Sequence, residues 1–246
     1  MKILCIIPAR SGSKGIKDKN IKLLCGKPLI GWSIEQVKKS KYKKNMRIVV
    51  STDSEKYKKI ALQYGAEVPF LRPKNISQDL STDYEFIKHA LDTLYANENY
   101  EPDIILQLRP TQPCRKTVLI DRCITTFLEK RNKYDSLRTV TEIMKTPYKM
   151  FKINNEKLIP YLKDYKELKE PFNNCRQIFP KTYLINGCID IFNKNIVDDG
   201  MISGKNIYPF IMDSNNVDID NNKDWIEAEK LMSTICDNSI CSIVSD

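Results

Sequence analysis

Between Arg10 and Gly15 the chain reads Arg-Ser-Gly-Ser-Lys-Gly, which places two cations, two hydroxyls and two glycines within six residues. Gly12 and Gly15 let a backbone turn tightly and bring its N–H groups close to an anion, while Arg10 and Lys14 supply the charge that phosphates require. With Ser11 and Ser13 the run is a polyphosphate cradle by composition, and Lys19 and Asn20 follow closely enough to fold over the same ligand. No Lys-Ser or Lys-Thr pair follows the second glycine, so the loop is not a Walker loop, and Gly12-x-x-Gly15 alone does not make a dinucleotide fingerprint. Far along the chain, Val217-Asp218-Ile219-Asp220 alternates apolar and acidic residues. A strand with that alternation aims both carboxylates the same way. Asp218 and Asp220 would then suit Mg²⁺, a hard ion that keeps waters and bridges phosphate oxygens. Cradle and acid pair together suggest nucleotidyl transfer, in which a hydroxyl attacks an α-phosphorus and pyrophosphate leaves. Arg10, Lys14, Lys19 and Asp220 are the residues that would carry the electrostatic stabilisation.

Such side chains need a scaffold, and the first two thirds of the chain supply one. Ile3 to Ile7 is an apolar run that predicts a buried parallel strand, with the cradle directly after it. Pro28 opens a segment in which Leu29, Ile30, Ile34 and Val37 keep helical spacing, with proline placed at the first helical position. Arg47 to Ser51 predicts the next strand, Thr52-Asp53-Ser54 caps a helix ended by Gly65, and Val68 to Leu71 reads as a short third strand. Asp103 to Leu108 is another buried strand, and Lys116 to Lys130 a helix. Strand and crossover helix in repetition predict an α/β fold with a doubly wound, mostly parallel sheet, whose ligands gather at the C-terminal strand ends. The alternation lapses between about 136 and 186, where Ser136 to Ile143 and Tyr148 to Ile153 look like strands and Lys163 to Glu170 is rich in charge. We read this as an insertion into a single domain spanning 1–246.

The run Pro-Ala-Arg-Ser-Gly-Ser-Lys-Gly-Ile-Lys-Asp-Lys-Asn, followed by Gly26-Lys27-Pro28-Leu29-Ile30, resembles the nucleotide loop of the sugar-acid cytidylyltransferases, the acylneuraminate cytidylyltransferase (CMP-sialic acid synthetase) family. The resemblance implies a CTP-dependent enzyme that makes a CMP-sugar, with the Asp218-Ile219-Asp220 sequence holding the metal. It adds Arg72, Ser81 and Thr82 as residues that touch the base and ribose, although Ser81 or Thr82 with Glu85 is equally a helix cap. It implies that Arg176-Gln177 before Pro180-Lys181 reaches the sugar acid, sometimes from a partner subunit, and that the insertion makes a homodimer. Asn186-Gly187 keep the family's pair, but Arg109 stands where the family has glutamine, Leu184-Ile185 replace arginine-proline, and Asp190 replaces a tyrosine of the sialic acid pocket. Arg109 suits a carboxylate or phosphate, or a neighbouring acid, and Asp190 an amino group or hydroxyls. The expected acceptor is therefore a small anionic sugar acid of the nonulosonate type other than N-acetylneuraminate. The alternatives are a sugar phosphate or phosphonate acceptor, or a non-enzymatic nucleotide or nucleic-acid module. The general base stays open: Asp218 through a metal-bound water, solvent, or a phosphate oxygen.

A chain of 246 residues, 41% of them hydrophobic, can bury one large core. Its formal net charge of +9 suits nucleic acid, an acidic membrane surface or small anions, and does not choose among them. The densest basic run, Lys38 to Arg47, falls where a helix should end and lacks the interleaved aromatics of a stacking surface, so no nucleic-acid partner is expected. The eight cysteines contain no C-x-x-C pair and predict reduced thiols rather than a zinc ribbon or redox pair. No stretch approaches a membrane span and no leader is evident, so the expectation is a soluble, cytoplasmic protein without disulfides. His89, the one histidine, has no sequence partner and reads as a packing or surface residue.

Overall fold

Ile3–Pro8 forms β1, and its first five residues are completely buried. Side chains alternate faces along a strand, so burial at every position means that both faces of the sheet are covered there. In the computed structural model, which describes residues 1–213 and 216–241, from 235 onward by backbone alone, the chain continues with the small hairpin β2 (Leu23–Leu24) and β3 (Lys27–Pro28). Helix α1 (Leu29–Lys38), β4 (Met46–Ser51), α2 (Glu55–Gln63), α3 (Asp83–Glu98), β5 (Ile104–Gln107) and α4 (Thr117–Lys130) come next. Then follow β6 (Ser136–Ile143), β7 (Phe151–Asn154), β8 (Lys157–Pro160), β9 (Thr182–Asn193), α5 (Asn195–Asp198), β10 (Ile207–Met212) and α6 (Asn222–Cys241).

The central sheet has six strands in the order β10-β6-β9-β5-β1-β4. β1 pairs in parallel with β4 and with β5, and β9 runs antiparallel to β5 with Gln107 opposite Asp190. The α/β class is as expected from the alternating pattern. α3 lays Phe86, Ile87, Ala90, Leu91 and Leu94 against Leu4 and Ile6 of β1 and Ile105 of β5. A second cluster joins Ile16 and Leu24 to Ile219 and to Trp225, Ala228 and Met232 of α6, so the amino-terminal loop and the carboxyl-terminal helix share one apolar seam. Burying these side chains is worth roughly 1.5–3 kcal/mol each, which is why two ends of the chain stay together without a covalent link.

Local expectations fail in several places. Pro28 is the cap of α1 rather than its first residue, and Val68 to Leu71 is not a strand, since only Glu67 makes an isolated parallel bridge to Val49. Asp218-Ile219-Asp220 is not a strand either. Ile219 is tied to the protein by its N–H, which donates to the Thr111 carbonyl at 2.9 Å, and no ladder continues from it. The alternation survives, because Ile219 is fully buried and the two acids are exposed.

The described residues divide into two compact units, one of 1–139, 187–210 and 216–241, the other of 140–186 and 211–213. In the smaller one, β7 and β8 make a tight hairpin across Asn155 and Glu156, both at positive φ, as a two-residue turn of matching twist requires. Where a strand was expected from Tyr148, that residue lies in a short 3-10 turn and β7 begins at Phe151. Tyr148 stacks on Phe179 at 4.9 Å, while Ile153, Leu158 and Tyr161 are mostly exposed.

Candidate active site

The end of β1 releases the chain into the cradle, and long-range bonds hold the loop open. Ser11 donates its N–H and its hydroxyl to the two carboxylate oxygens of Asp53, each at 2.8 Å. The Asn20 amide donates to the Arg10 carbonyl at 3.0 Å. Asp18, in a left-handed conformation, accepts from the Tyr57 hydroxyl at 3.1 Å and from Lys56 at 3.2 Å. Hydrogen bonding from Lys56 and Tyr57 holds the Asp18 carboxyl below the usual range, and burial with the Asp18 charge pushes the Tyr57 phenol up. Arg10 donates to the Gly12 carbonyl at 3.1 Å, pinning its own loop.

The cradle meets the carboxyl-terminal acids directly. Lys19 donates to the Ile219 carbonyl at 2.5 Å and pairs with Asp220 at 3.2 Å. A methyl group built on Gly15 would lie 2.1 Å from the Asp220 carbonyl oxygen, a distance no side chain tolerates. Gly15 is therefore needed for the approach of loop to acid segment as well as for turning. An open cleft of about 350 Å³ results, lined among others by Arg10, Ser13, Lys14, Lys19, Arg72 and Asp220. Asn20, Ser81 and Arg109 also face it. Residues some 200 positions apart thus share one wall.

Not every expected residue faces this cleft. Ser11 does not, because Asp53 consumes both of its donors; Gly12 does not line it either, its carbonyl being taken by Arg10. Thr82 caps α3 in a reciprocal box with Glu85, which places it with the helix and not with a ligand. Asp190 is completely buried and its carboxylate is taken by two arginines, so it cannot meet substrate. Arg176, Gln177 and Asn186 belong to the smaller unit, where Arg176 donates to the Met144 carbonyl at 3.3 Å and the Asn186 amide to the Thr141 hydroxyl at 2.9 Å.

Two further residues at the site, Asp79 and Thr111, were not singled out by sequence. Asp79 bridges the two cradle cations, accepting from Arg10 at 2.9 Å and pairing with Lys14, and these partners hold its carboxyl below the usual range. It sits in the polar stretch before α3, where a helix cap was the nearest reading. Arg72, nearly buried, donates to the Ser51 hydroxyl at 3.0 Å and carbonyl at 2.7 Å and lies 4.6 Å over the Phe86 ring. Burial lowers its pKa to about 10. Thr111 holds the acid segment twice, through its carbonyl to Ile219 and its hydroxyl to Asp218. His89 packs edge-on to Phe70 at 4.9 Å, and burial, with the Arg72 charge, lowers its pKa.

Desolvation by its surroundings raises the Asp218 carboxyl even though part of the side chain reaches solvent, and Asp220 adds repulsion. Asp220 lines the cationic cleft whereas Asp218 is not among its lining residues, and two like charges that repel each other beside such a cleft fit a hard divalent ion. Two protein carboxylates suffice for Mg²⁺ when phosphates and waters complete its shell. No group of three or more possible metal-binding His, Cys, Asp or Glu occurs among the described residues, so a cage made wholly of such side chains is not present there. Cys5, Cys114, Cys123 and Cys175 are free thiols, and the side chains of Cys236 and Cys241 lie outside the described residues, as does Asn215 at the start of the acid segment. Among the described residues no helix is long and apolar enough to cross a membrane.

A model of the cytidylyltransferase family matches residues 4–194. The chain is 34% identical to CMP-N,N'-diacetyllegionaminic acid synthase of Legionella pneumophila over 94% of its own length and 97% of that protein. It is equally 34% identical to N-acylneuraminate cytidylyltransferase of Escherichia coli, over 91% of its own length and 50% of that longer protein. CMP:2-keto-3-deoxy-manno-octonic acid synthetase, solved with CTP, has the same fold, with a TM-score of 0.69 and 14% identity over 95% of this chain and 99% of that one.

Proposed function

Since the chain belongs to the cytidylyltransferase family, we propose that it transfers CMP from CTP to a nonulosonate sugar acid, with release of pyrophosphate. The observation that carries this reading is the convergence of Arg10, Lys14 and Lys19 with Asp220 on one cleft, made possible by Gly15. Arg10 and Lys14 bind the phosphates in exchange for Asp79, and Lys19, fixed by the Ile219 carbonyl, stands between phosphate and acid. The acceptor hydroxyl oxygen bonds to the α-phosphorus, the bond from that phosphorus to the bridging oxygen breaks, and the hydroxyl proton is released. Charge grows on the bridging and leaving oxygens, where fixed cations stabilise it most. Asp218 and Asp220 would hold Mg²⁺, which supplies further neutralisation of the phosphate oxygens. Arg72 and Ser81 are assigned to the nucleoside end of the cleft, and Arg176, Gln177 and Asn186 to acceptor recognition.

The acceptor we favour is not N-acetylneuraminate. Identity does not choose, being 34% to a legionaminic acid synthase and to an N-acylneuraminate enzyme alike. The argument rests on Arg109 and Asp190, which form one ion pair at 2.7 Å. A sugar phosphate is not favoured, since a guanidinium already clamped by two carboxylates suits a monoanion better than a dianion. We also propose a cytoplasmic homodimer that covers the exposed Ile153, Leu158 and Tyr161 of the smaller unit. Pyrophosphate release should be measured with each of the four nucleoside triphosphates against N,N'-diacetyllegionaminate, N-acetylneuraminate, Kdo and sugar phosphates. Turnover is expected with CTP and a diacetylated nonulosonate; efficient transfer to N-acetylneuraminate would remove the acceptor assignment, and none with CTP the whole reading.

A further inference from the structure

Behind the cleft lies a charged array that three neighbouring strands assemble. Asp190 of β9 is fully buried and offers one oxygen to Arg109 at 2.7 Å and to Arg138 of β6 at 3.1 Å. Arg109 follows the end of β5 and reaches Asp83, the first residue of α3, with its other terminal nitrogen. Asp83 also accepts from Gln107 of β5 at 2.8 Å. Gly187, at φ 63, lets its carbonyl accept from Arg109 at 3.2 Å, and an added methyl group there would crowd the guanidinium at 3.1 Å. Burial alone would lower the Arg109 pKa, and the two carboxylates more than offset it, so the charge is secure.

Arg115, also buried, donates to the Cys188 carbonyl at 2.6 Å and to the Ser33 hydroxyl at 3.0 Å. It makes no carboxylate pair among the described ion pairs, whereas Arg109 pairs with Asp83 and Asp190 and also feels the Asp218 charge. Arg109 and Asp83 are the members of the array that line the cleft.

We infer that Arg109 is a fixed guanidinium wall that receives the carboxylate of the acceptor, and that Asp190, without touching substrate, is the positioning residue that sets its selectivity. This deepens the reading above and rests on it. A planar guanidinium recognises a carboxylate through paired N–H groups only if its plane is fixed, and Asp190 with Asp83 does the fixing. Loss of one charge-assisted bond typically shifts binding about tenfold.

The test uses the full-length enzyme, the acid that the acceptor panel selects, and the methyl ester of that acid. Wild type should bind the ester at least tenfold more weakly than the acid. Asp190→Asn should raise KM for the acid about tenfold, leave KM for CTP within twofold, and reduce the preference for acid over ester; Asp190→Glu should restore part of it. Asp83→Asn, nearer the surface, should show the same pattern more weakly and keeps the test valid should Asp190→Asn fail to fold. Equal rises in both KM values, a fall in kcat alone, or an undiminished preference for acid over ester in these variants would overturn the inference and leave the cytidylyltransferase reading intact. Absence of turnover with every acid would overturn both.

Discussion

The two ends of the cleft are built in opposite ways. At the phosphate end the charges are more accessible: Lys14 is 80% exposed and Asp220 76%, and each makes one ion pair. At the Arg109 end, Asp190 is wholly buried, Arg138 nearly so, and each charge has several partners. Exposed pairs are worth little and exchange easily, whereas buried ones resist being broken. A multiply charged triphosphate can displace Asp79 from Arg10 and Lys14 because that pair is weak. A singly charged acceptor needs a wall already in place. On the proposed reading, strength of binding and accuracy of selection are handled by different electrostatics in one cleft.

If this contrast holds, the largest stability loss follows from opening the buried end. Arg109→Ala should cost about 3 kcal/mol or more, since Asp190 would keep only Arg138, and urea unfolding would show it. Asp220→Ala and Lys14→Ala should instead leave the urea midpoint nearly unchanged, within about 0.5 kcal/mol, while lowering kcat/KM roughly 10²-fold or more. Normal turnover in either variant would show that its assigned role is wrong. Gly15→Ala should cost about tenfold in turnover by pushing the loop off Asp220, whereas Gly12→Ala, whose methyl group would meet Arg10 at an ordinary 3.5 Å, should be tolerated.

Thiol chemistry offers a gentler probe. Burial pushes the Cys5 thiol up to about 12 and Cys114 up to about 11, whereas Cys175 is exposed. At pH 8 the first two hold almost no thiolate, so peptide mass spectrometry after brief alkylation should find Cys175 modified well before them. The smallest effect belongs to Asp79→Asn. With the competing carboxylate gone, CTP and pyrophosphate should each bind a few-fold more tightly, and weaker binding would mean that Asp79 orders the cradle rather than yielding it.

Much of this was legible from local sequence. Cradle cations, buried strands and the acid pair depend on neighbours within a few residues, and spacing reports such neighbours well. Arg72 was reached by resemblance, and its nearly buried place beside Phe86 is a matter of packing. Asp79, Asp53 and Asp83 were not reached, because their partners are 69, 42 and 26 residues away and no periodicity links them. Arg109 and Asp190 read as two separate departures toward substrate; they are 81 residues apart and meet only when β9 pairs with β5. Ser11 and Thr82 were the right residue types for ligand contacts, and backbone or carboxylate neighbours claimed them first.

Hydrogen–deuterium exchange with and without CTP and Mg²⁺ tests the joint site most directly. Amides in 10–20 and 216–221 should slow together, and Asp220→Ala should weaken the protection in both segments. Protection of the amino-terminal loop alone, unaffected by Asp220→Ala, would contradict a triphosphate held between the two.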